Sequence, residues 1–259
     1  MKNPYYIDET CVISLSGGRT SAYMLIEMLE AHGGTLPPEH HVLFANTGKE
    51  VDATLDFVHR IERELSVPVV WLEYSGKKQF KIVDYETAAR NGEPFRQLID
   101  DRKYLPNSMV RICTIEMKIL TIERYMESIG FDEFATAVGI RADEPRRVAK
   151  MKAKPDYYTP LADAGVTVQD IKKFWDGMPW DLETSSSHYS NCDLCMLKGH
   201  GIKMSLIRDG VDPSWWIEQE KRTGNFFRND QPSYQAMADY DGQQIDIFSD
   251  ESISCFCGD

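Results

Sequence analysis

The chain has 259 residues, with 29 Lys and Arg against 41 Asp and Glu and a formal net charge of −12. Its 42% hydrophobic content is globular and too apolar for a disordered chain. No apolar run approaches the ~20 residues of a membrane-spanning helix, and the acidic balance argues against nonspecific nucleic-acid binding while leaving room for a local basic pocket. The opening Met1-Lys2-Asn3-Pro4-Tyr5-Tyr6 lacks the apolar stretch of a secretory signal. A cytoplasmic chain with reduced thiols is therefore expected.

Taken in order, Cys11 to Leu15 reads as a buried strand, with Cys11 a structural thiol. Ser21 to Ala31 reads as a helix with Ala22, Leu25, Ile26 and Leu29 on one face. His41 to Ala45 is a second strand, Val51 to Leu65 a second helix, and Val67 to Leu72 a third strand. Near-continuous apolar strands alternating with helices predict an α/β fold, a mainly parallel sheet sandwiched by helices. Phe80 to Tyr85 reads as a short strand and Pro94 to Arg102 as a helix. Ile115 to Ile129 reads as a helix presenting Ile115, Ile119, Ile122 and Met126 on one face. Phe134 to Ile140 is another buried strand, and Thr167 is the expected cap of a helix reaching Trp175. Four of the six cysteines follow Pro179, so the chain divides into a domain at 1–178 and a small Cys-rich subdomain at 179–259 packed on it. Trp215-Trp216 fits the core of that subdomain or an oligomer interface.

Ser16-Gly17-Gly18-Arg19-Thr20-Ser21 follows a predicted strand and opens a predicted helix. In that geometry backbone N–H groups and the positive helix end converge on an anion. Gly17 and Gly18 permit positive φ and close approach of phosphate oxygens. Ser16, Thr20 and Ser21 add hydroxyl donors, and Arg19 adds charge. A β-branched residue at Gly17 is expected to bar the phosphate while leaving the fold intact. The loop is neither a Walker A sequence nor a Gly-x-Gly-x-x-Gly fingerprint.

This loop resembles the pyrophosphate (PP) loop of the adenine nucleotide alpha-hydrolase superfamily, which includes ATP pyrophosphatases and the phosphoadenosine phosphosulfate (PAPS) reductase family. Three further segments, in the same order, are similar to PAPS reductase motifs: Ala45-Asn46-Thr47-Gly48-Lys49-Glu50, Val138-Gly139-Ile140-Arg141-Ala142-Asp143-Glu144, and Thr159-Pro160-Leu161 with the helix after it. The resemblance spans roughly Cys11 to Trp175. It implies an adenine nucleotide (ATP, or PAPS or adenosine phosphosulfate) bound by Ser16 to Ser21, Thr47, Gly48, Gly139, Arg141 and Arg146, with Arg141 also catalytic. Mg2+ would accompany ATP. Arg146 and Arg147, with Lys150, Lys152 and Lys154, form a basic stretch that reads either as anion-binding or as a solvated helix face. Arg111 and Lys118 flank Cys113 and could also reach an anion.

Cys192 and Cys195 have Cys-x-x-Cys spacing, Cys255 and Cys257 sit near the C-terminus, and Cys113 opens a helix. Such thiolates suit one four-thiolate centre, either iron–sulfur or zinc. Cluster-bearing sulfonucleotide reductases carry Cys-Cys where this chain has Cys113-Thr114. The resemblance thus implies a [4Fe-4S] cluster on Cys113, Cys192, Cys195 and either Cys255 or Cys257. The PAPS reductase tail, Glu-Cys-Gly-x-His with a nucleophilic cysteine, resembles Ser254-Cys255-Phe256-Cys257-Gly258-Asp259 only in its Cys-Gly, which makes Cys257 a candidate nucleophile. Three functions follow: ATP cleavage at the α-phosphate to adenylate an acceptor, sulfonucleotide reduction releasing sulfite, or a non-enzymatic nucleotide-binding module with zinc. A redox or sulfur-donor protein is the expected partner of the first two.

Overall fold

The computed structural model describes residues 3–184 and 192–240. Six strands form one sheet: β1 (Cys11–Leu15), β2 (His40–Asn46), β3 (Val69–Tyr74), β4 (Phe80–Val83), β5 (Ala135–Val138) and β6 (Tyr157–Tyr158). Their order is β4-β3-β2-β1-β5-β6, every pair parallel except β3 with β4. β1 is central, pairing Cys11 with His40 on one side and with Ala135 on the other. Buried on both faces, it needs the continuous apolar run that its sequence supplies. The chain steps outward through β2 and β3, then returns to β5 on the far side of β1. That reversal puts a crevice at the carboxyl ends of β1 and β5.

The helices are α1 (Arg19–Ala31), α2 (Asp52–Leu65), α3 (Glu93–Arg102), α4 (Leu120–Ser128), α5 (Pro145–Lys152), α6 (Pro160–Asp163), α7 (Val168–Asp176), α8 (His200–Arg208), α9 (Ser214–Thr223) and α10 (Tyr234–Ala238). Side chains alternate across each strand, so Ile13 and Leu15 meet α1 and α2 on one face while Val12 meets Ile122 and Met126 of α4 on the other. Thr167 precedes α7 as expected, its N–H and hydroxyl both donating to the Asp170 carboxylate (2.8 and 2.6 Å). A third apolar cluster joins α3 to the C-terminal helices: Phe95 and Leu98 pack with Cys113, Cys192, Cys195, Trp216, Phe227 and Tyr234. Trp215 and Trp216 are buried there as core residues. Trp180 and Leu182 still belong to the first core, beside Phe57 and Trp175.

The expected helix from Ile115 starts differently. Cys113–Ile119 is a π-helix leading into α4. Its wider turn shifts the phase of the buried stripe. Ile115 is 47% exposed, while Cys113, Glu116 and Met117 turn inward. Glu116 pays for that burial with ion pairs to Arg102 of α3 and Arg124 of α4.

At the opposite end of the sheet, His40 and His41 begin β2 in buried or half-buried positions. Burial lowers both imidazole pKa values, and the neighbouring His32, ring to ring at 4.9 Å, lowers that of His40 further. A histidine depressed in the folded state leaves the unfolded chain binding more protons below its own pKa of about 6.5. Stability from these groups is therefore present above about pH 6.5 and is lost as pH falls through the lower folded values. The melting temperature should drop between about pH 7.5 and pH 5.5, and by less in His40→Gln/His41→Gln. An equal drop in the double variant would remove the two histidines from the account.

Candidate functional site

The Ser16–Ser21 loop is held by its own hydroxyls. Ser21 Oγ accepts the Ser16 N–H (3.1 Å), lies 2.9 Å from Ser16 Oγ and donates to the Gly18 carbonyl (3.0 Å). Gly17 has φ +80°, and a Cβ there would lie 2.4 Å from Thr54 Cγ2 and 3.2 Å from Val58 Cγ2 on α2. The expectation for a β-branched Gly17 is therefore corrected: the missing side chain faces α2, so such a change strikes the fold directly. Gly18 has ordinary extended backbone and caps α1 without a side-chain bond, leaving the first-turn N–H groups to the loop. Arg19 turns away from the loop. Its guanidinium grips Asp181 through two bonds of 2.7 and 2.8 Å and donates to the Leu182 carbonyl.

Arg141 comes to the loop from the end of β5. Its Nη1 donates to Thr20 Oγ1 (3.3 Å), its Nε donates to Asp143 (3.0 Å), and its backbone N–H donates to Glu144 (3.0 Å). Gly139 is required by contact, since a Cβ there would stand 3.0 Å from Ser21 Cα. Arg146 is exposed on α5, whereas Arg147 turns inward and pairs with Glu144.

A cavity of about 860 Å3 opens at the carboxyl ends of β1 and β5 and runs along the sheet between the π-helix and α5. Ser16, Ser21 and Gly139 line it together with Arg111, Lys118, Arg147 and Lys150. Glu9, Glu123, Glu127, Asp132 and Glu133 line it too, and burial together with Glu127 raises the pKa of Glu123. Cationic side chains beside loop hydroxyls and a helix N-terminus suit a phosphate chain.

Thr47 and Gly48 lie outside that lining: the Gly48 carbonyl accepts the Gly92 N–H (2.7 Å), and Thr47 stands beside a cysteine. The Glu50 carboxylate accepts the Thr47 N–H and hydroxyl (2.9 and 2.7 Å), and Thr47 Oγ1 lies 3.5 Å from Cys192 Sγ. Glu50 and Cys192 form an antiparallel bridge, Asp193 N–H donates to the Lys49 carbonyl, and Lys49 Nζ meets the Asp193 carboxylate at 2.7 Å. Lys118 Nζ stands 3.6 Å from Glu50. Sequence reasoning missed Lys49, Glu50 and Asp193. The only local signal was a Lys-Glu pair directly after Thr47-Gly48.

Cys113, Cys192 and Cys195 are buried thiols lining one small cavity with Thr47, Lys118 and Trp216. Thr114 and Lys118 line both this cavity and the large one. Thiols are the donor type a thiophilic metal prefers, but among the described residues no group of three or more His, Cys, Asp or Glu is arranged to hold a metal ion. Cys255 and Cys257, expected as ligand and nucleophile, lie outside the described residues. Cys11 is fully buried in β1, its thiol pushed up to about 12 by burial. No helix among the described residues is long and apolar enough to cross a membrane.

The chain is 30% identical over 200 residues to the uncharacterized nin region protein ORF290 of Escherichia phage lambda, covering 72% of this chain and 66% of that protein's length. Among solved structures it is similar to a phosphoadenylyl-sulfate (PAPS) reductase from Candida auris in a phosphate complex (14% identity, 66% of this chain and 75% of that one, TM-score 0.41). It is also similar to the U34-tRNA thiolase NcsA from Methanococcus maripaludis with its [4Fe-4S] cluster (14% identity, 100% and 82%, TM-score 0.40). Residues 10–154 match the family described as the phosphoadenosine phosphosulfate reductase domain. That match is more than half of the chain and runs from just before β1 to just past α5, with the Ser16–Ser21 loop, the β2 turn and Arg141 all inside it. The chain therefore belongs to the phosphoadenosine phosphosulfate reductase domain family.

Proposed function

We propose that the protein binds ATP with its Mg2+ as substrate, cleaves it at the α-phosphate, and adenylates an acceptor beside a sulfur-ligated metal centre. The observation carrying this reading is the large cavity, where Ser16, Ser21 and Gly139 meet Arg111, Lys118 and Arg147 at the carboxyl ends of β1 and β5. Backbone N–H groups at the start of α1 and the Ser16 hydroxyl bind the pyrophosphate portion, with Ser21 holding the loop in shape. Arg141, fixed on Thr20, offsets charge that grows on the phosphates as the leaving group departs. Cys113, Cys192 and Cys195, with Cys255 or Cys257, would hold an iron–sulfur cluster or zinc, supplying sulfur or electron chemistry to the activated acceptor.

The second reading is sulfonucleotide reduction, favoured by the family itself. Anaerobic assays separate the two: AMP and pyrophosphate from ATP are expected, without thioredoxin-dependent sulfite from PAPS or adenosine phosphosulfate. Sulfite release that is lost in Cys257→Ser with the metal unchanged would reverse the order and make Cys257 the nucleophile. Arg141→Ala should weaken ATP binding about thirtyfold, the value of one charge-assisted contact of about 2 kcal/mol, measured by calorimetry. The exposed Arg146→Ala should change it less than about twofold. Equal losses in both would take Arg141 out of the phosphate site.

A further inference from the structure

The sheet face beneath the large cavity is only half covered. Helix α4 lays Ile122 and Met126 over Val12, Leu43 and Leu72. Helix α5, packed beside β6, has no buried residue. Parallel strands are ordinarily covered on both faces, yet Thr136 and Val138 of β5 line open space together with Ile119, Phe134 and Met151. The cavity follows β1 from Ser16 back to Thr10. Six residue steps of about 3.3 Å make that groove about 20 Å long, and the pyrophosphate of a nucleotide accounts only for its Ser16 end.

The two ends of the groove differ in charge. Arg111, Lys118 and Arg147 lie toward the carboxyl ends of the strands, beside the phosphate loop. At the amino ends stand Glu127 in the last turn of α4, Asp132 and Glu133 just before β5, and Asp156 just before β6. Among the described residues none of these four carboxylates makes an ion pair or a side-chain hydrogen bond. Lys154 at this end stands over the Tyr157 ring, 4.3 Å from its centroid, and acts on Glu123. A cation entering here gains the attraction of the four carboxylates and relieves their mutual repulsion.

We infer that the groove holds the acceptor, and that the acceptor is an elongated zwitterion: a carboxylate at the loop end, an apolar stem along β5 and an ammonium at the acidic mouth. This rests on the reading that ATP is cleaved at the α-phosphate. A carboxylate suits the cationic end and attacks without giving up a proton. Its oxygen forms a bond to the α-phosphorus as the bridging P–O bond between the α- and β-phosphates breaks. Pyrophosphate leaves with the electron pair, nothing is oxidised or reduced, and the product is an acyl adenylate. The stem covers Phe134 and Val138, so apolar surface leaves water on both partners.

The test uses the intact 259-residue chain with three probes: ω-aminododecanoate as the zwitterion, dodecanoate lacking the ammonium, and dodecylamine lacking the carboxylate. Calorimetry reads binding, and ATP–pyrophosphate exchange reads adenylate formation. The zwitterion should bind about fivefold more tightly than dodecanoate, and only the two carboxylates should drive exchange. Asp132→Asn/Glu133→Gln should erase the preference for the zwitterion while dodecanoate and ATP bind as in the parent. Thr136→Phe, which fills the middle of the groove, should weaken both carboxylates about tenfold with ATP affinity unchanged. Melting reports the fold of each variant. Equal binding of zwitterion and dodecanoate, or a preference that survives in folded Asp132→Asn/Glu133→Gln, would overturn the inference. So would an ATP affinity that falls with Thr136→Phe as far as that of the zwitterion, because the groove would then hold the nucleotide itself. Groove binding without exchange would take down the acceptor role together with the ATP reading, whereas ATP cleavage without groove binding would overturn this inference alone.

Discussion

Gly17→Ala is expected to cost about 2–5 kcal/mol of folding stability, a large part of the 5–15 kcal/mol typical of a domain. Two terms add. An L-residue at φ +80° pays about 1–2 kcal/mol, and a Cβ placed 2.4 Å from Thr54 Cγ2 forces α2 away from the loop at about 1–3 kcal/mol. Gly17→Val should exceed this and leave little folded protein. The two terms separate in one experiment, because Thr54→Ser deletes the clashing methyl and keeps the hydroxyl. Urea melts should show Gly17→Ala recovering about 1–3 kcal/mol in the Thr54→Ser background. No recovery would mean that backbone strain alone sets the cost. Loss of ATP binding in a Gly17 variant then says nothing about phosphate contact unless the folded fraction is measured.

Asp193→Ala should cost about 3–5 kcal/mol, the range for breaking a buried ion pair from one side. The carboxylate faces Lys49 Nζ at 2.7 Å and Trp216 Nε1 at 2.8 Å, and both partner atoms would be stranded. Lys49 and Asp193 side chains are only 10% and 16% exposed, so water cannot make good the loss. Asp193→Asn keeps an oxygen for Trp216 and should cost less. Lys49→Met combined with Asp193→Asn should be more stable than the sum of the single changes, since no buried charge is left alone. A strictly additive cycle would show that the pair is screened and of little structural weight.

The sheet was legible because a strand buried on both faces writes itself as an apolar run. Cys11 to Leu15 was read to the residue, and β2, β3 and β5 within two residues at each end. Helix α7 announced itself through Thr167, whose hydroxyl the structure places on Asp170. The π-helical start before α4 did not, because its stripe of Ile115, Ile119, Ile122 and Met126 also fits an ordinary helix. In the wider turn Cys113 and Glu116 are buried while Ile115 is exposed, a phase the apolar stripe alone does not specify. Gly139 and Arg141 were read from motif order and do meet the loop. The grip of Arg19 on Asp181 was not legible because that partner lies 162 residues away and carries no local signature. Lys49 and Asp193 were missed for the same reason. Thr47 was read as a phosphate contact, whereas its hydroxyl is spent on Glu50 beside Cys192.

Thr114 and Lys118 face two chambers at once, one on each side of a single turn of helix. Residues shared by two cavities answer to both. If the large cavity grips a nucleotide as proposed, selection for that grip and selection on the cysteine pocket act on the same two codons. In a mutational scan these positions should fail both screens together, while Gly139 fails only the first and Trp216 only the second. A lineage that abandons one chemistry is freed to vary there, so drift at 114 and 118 among relatives marks where one chamber has fallen out of use.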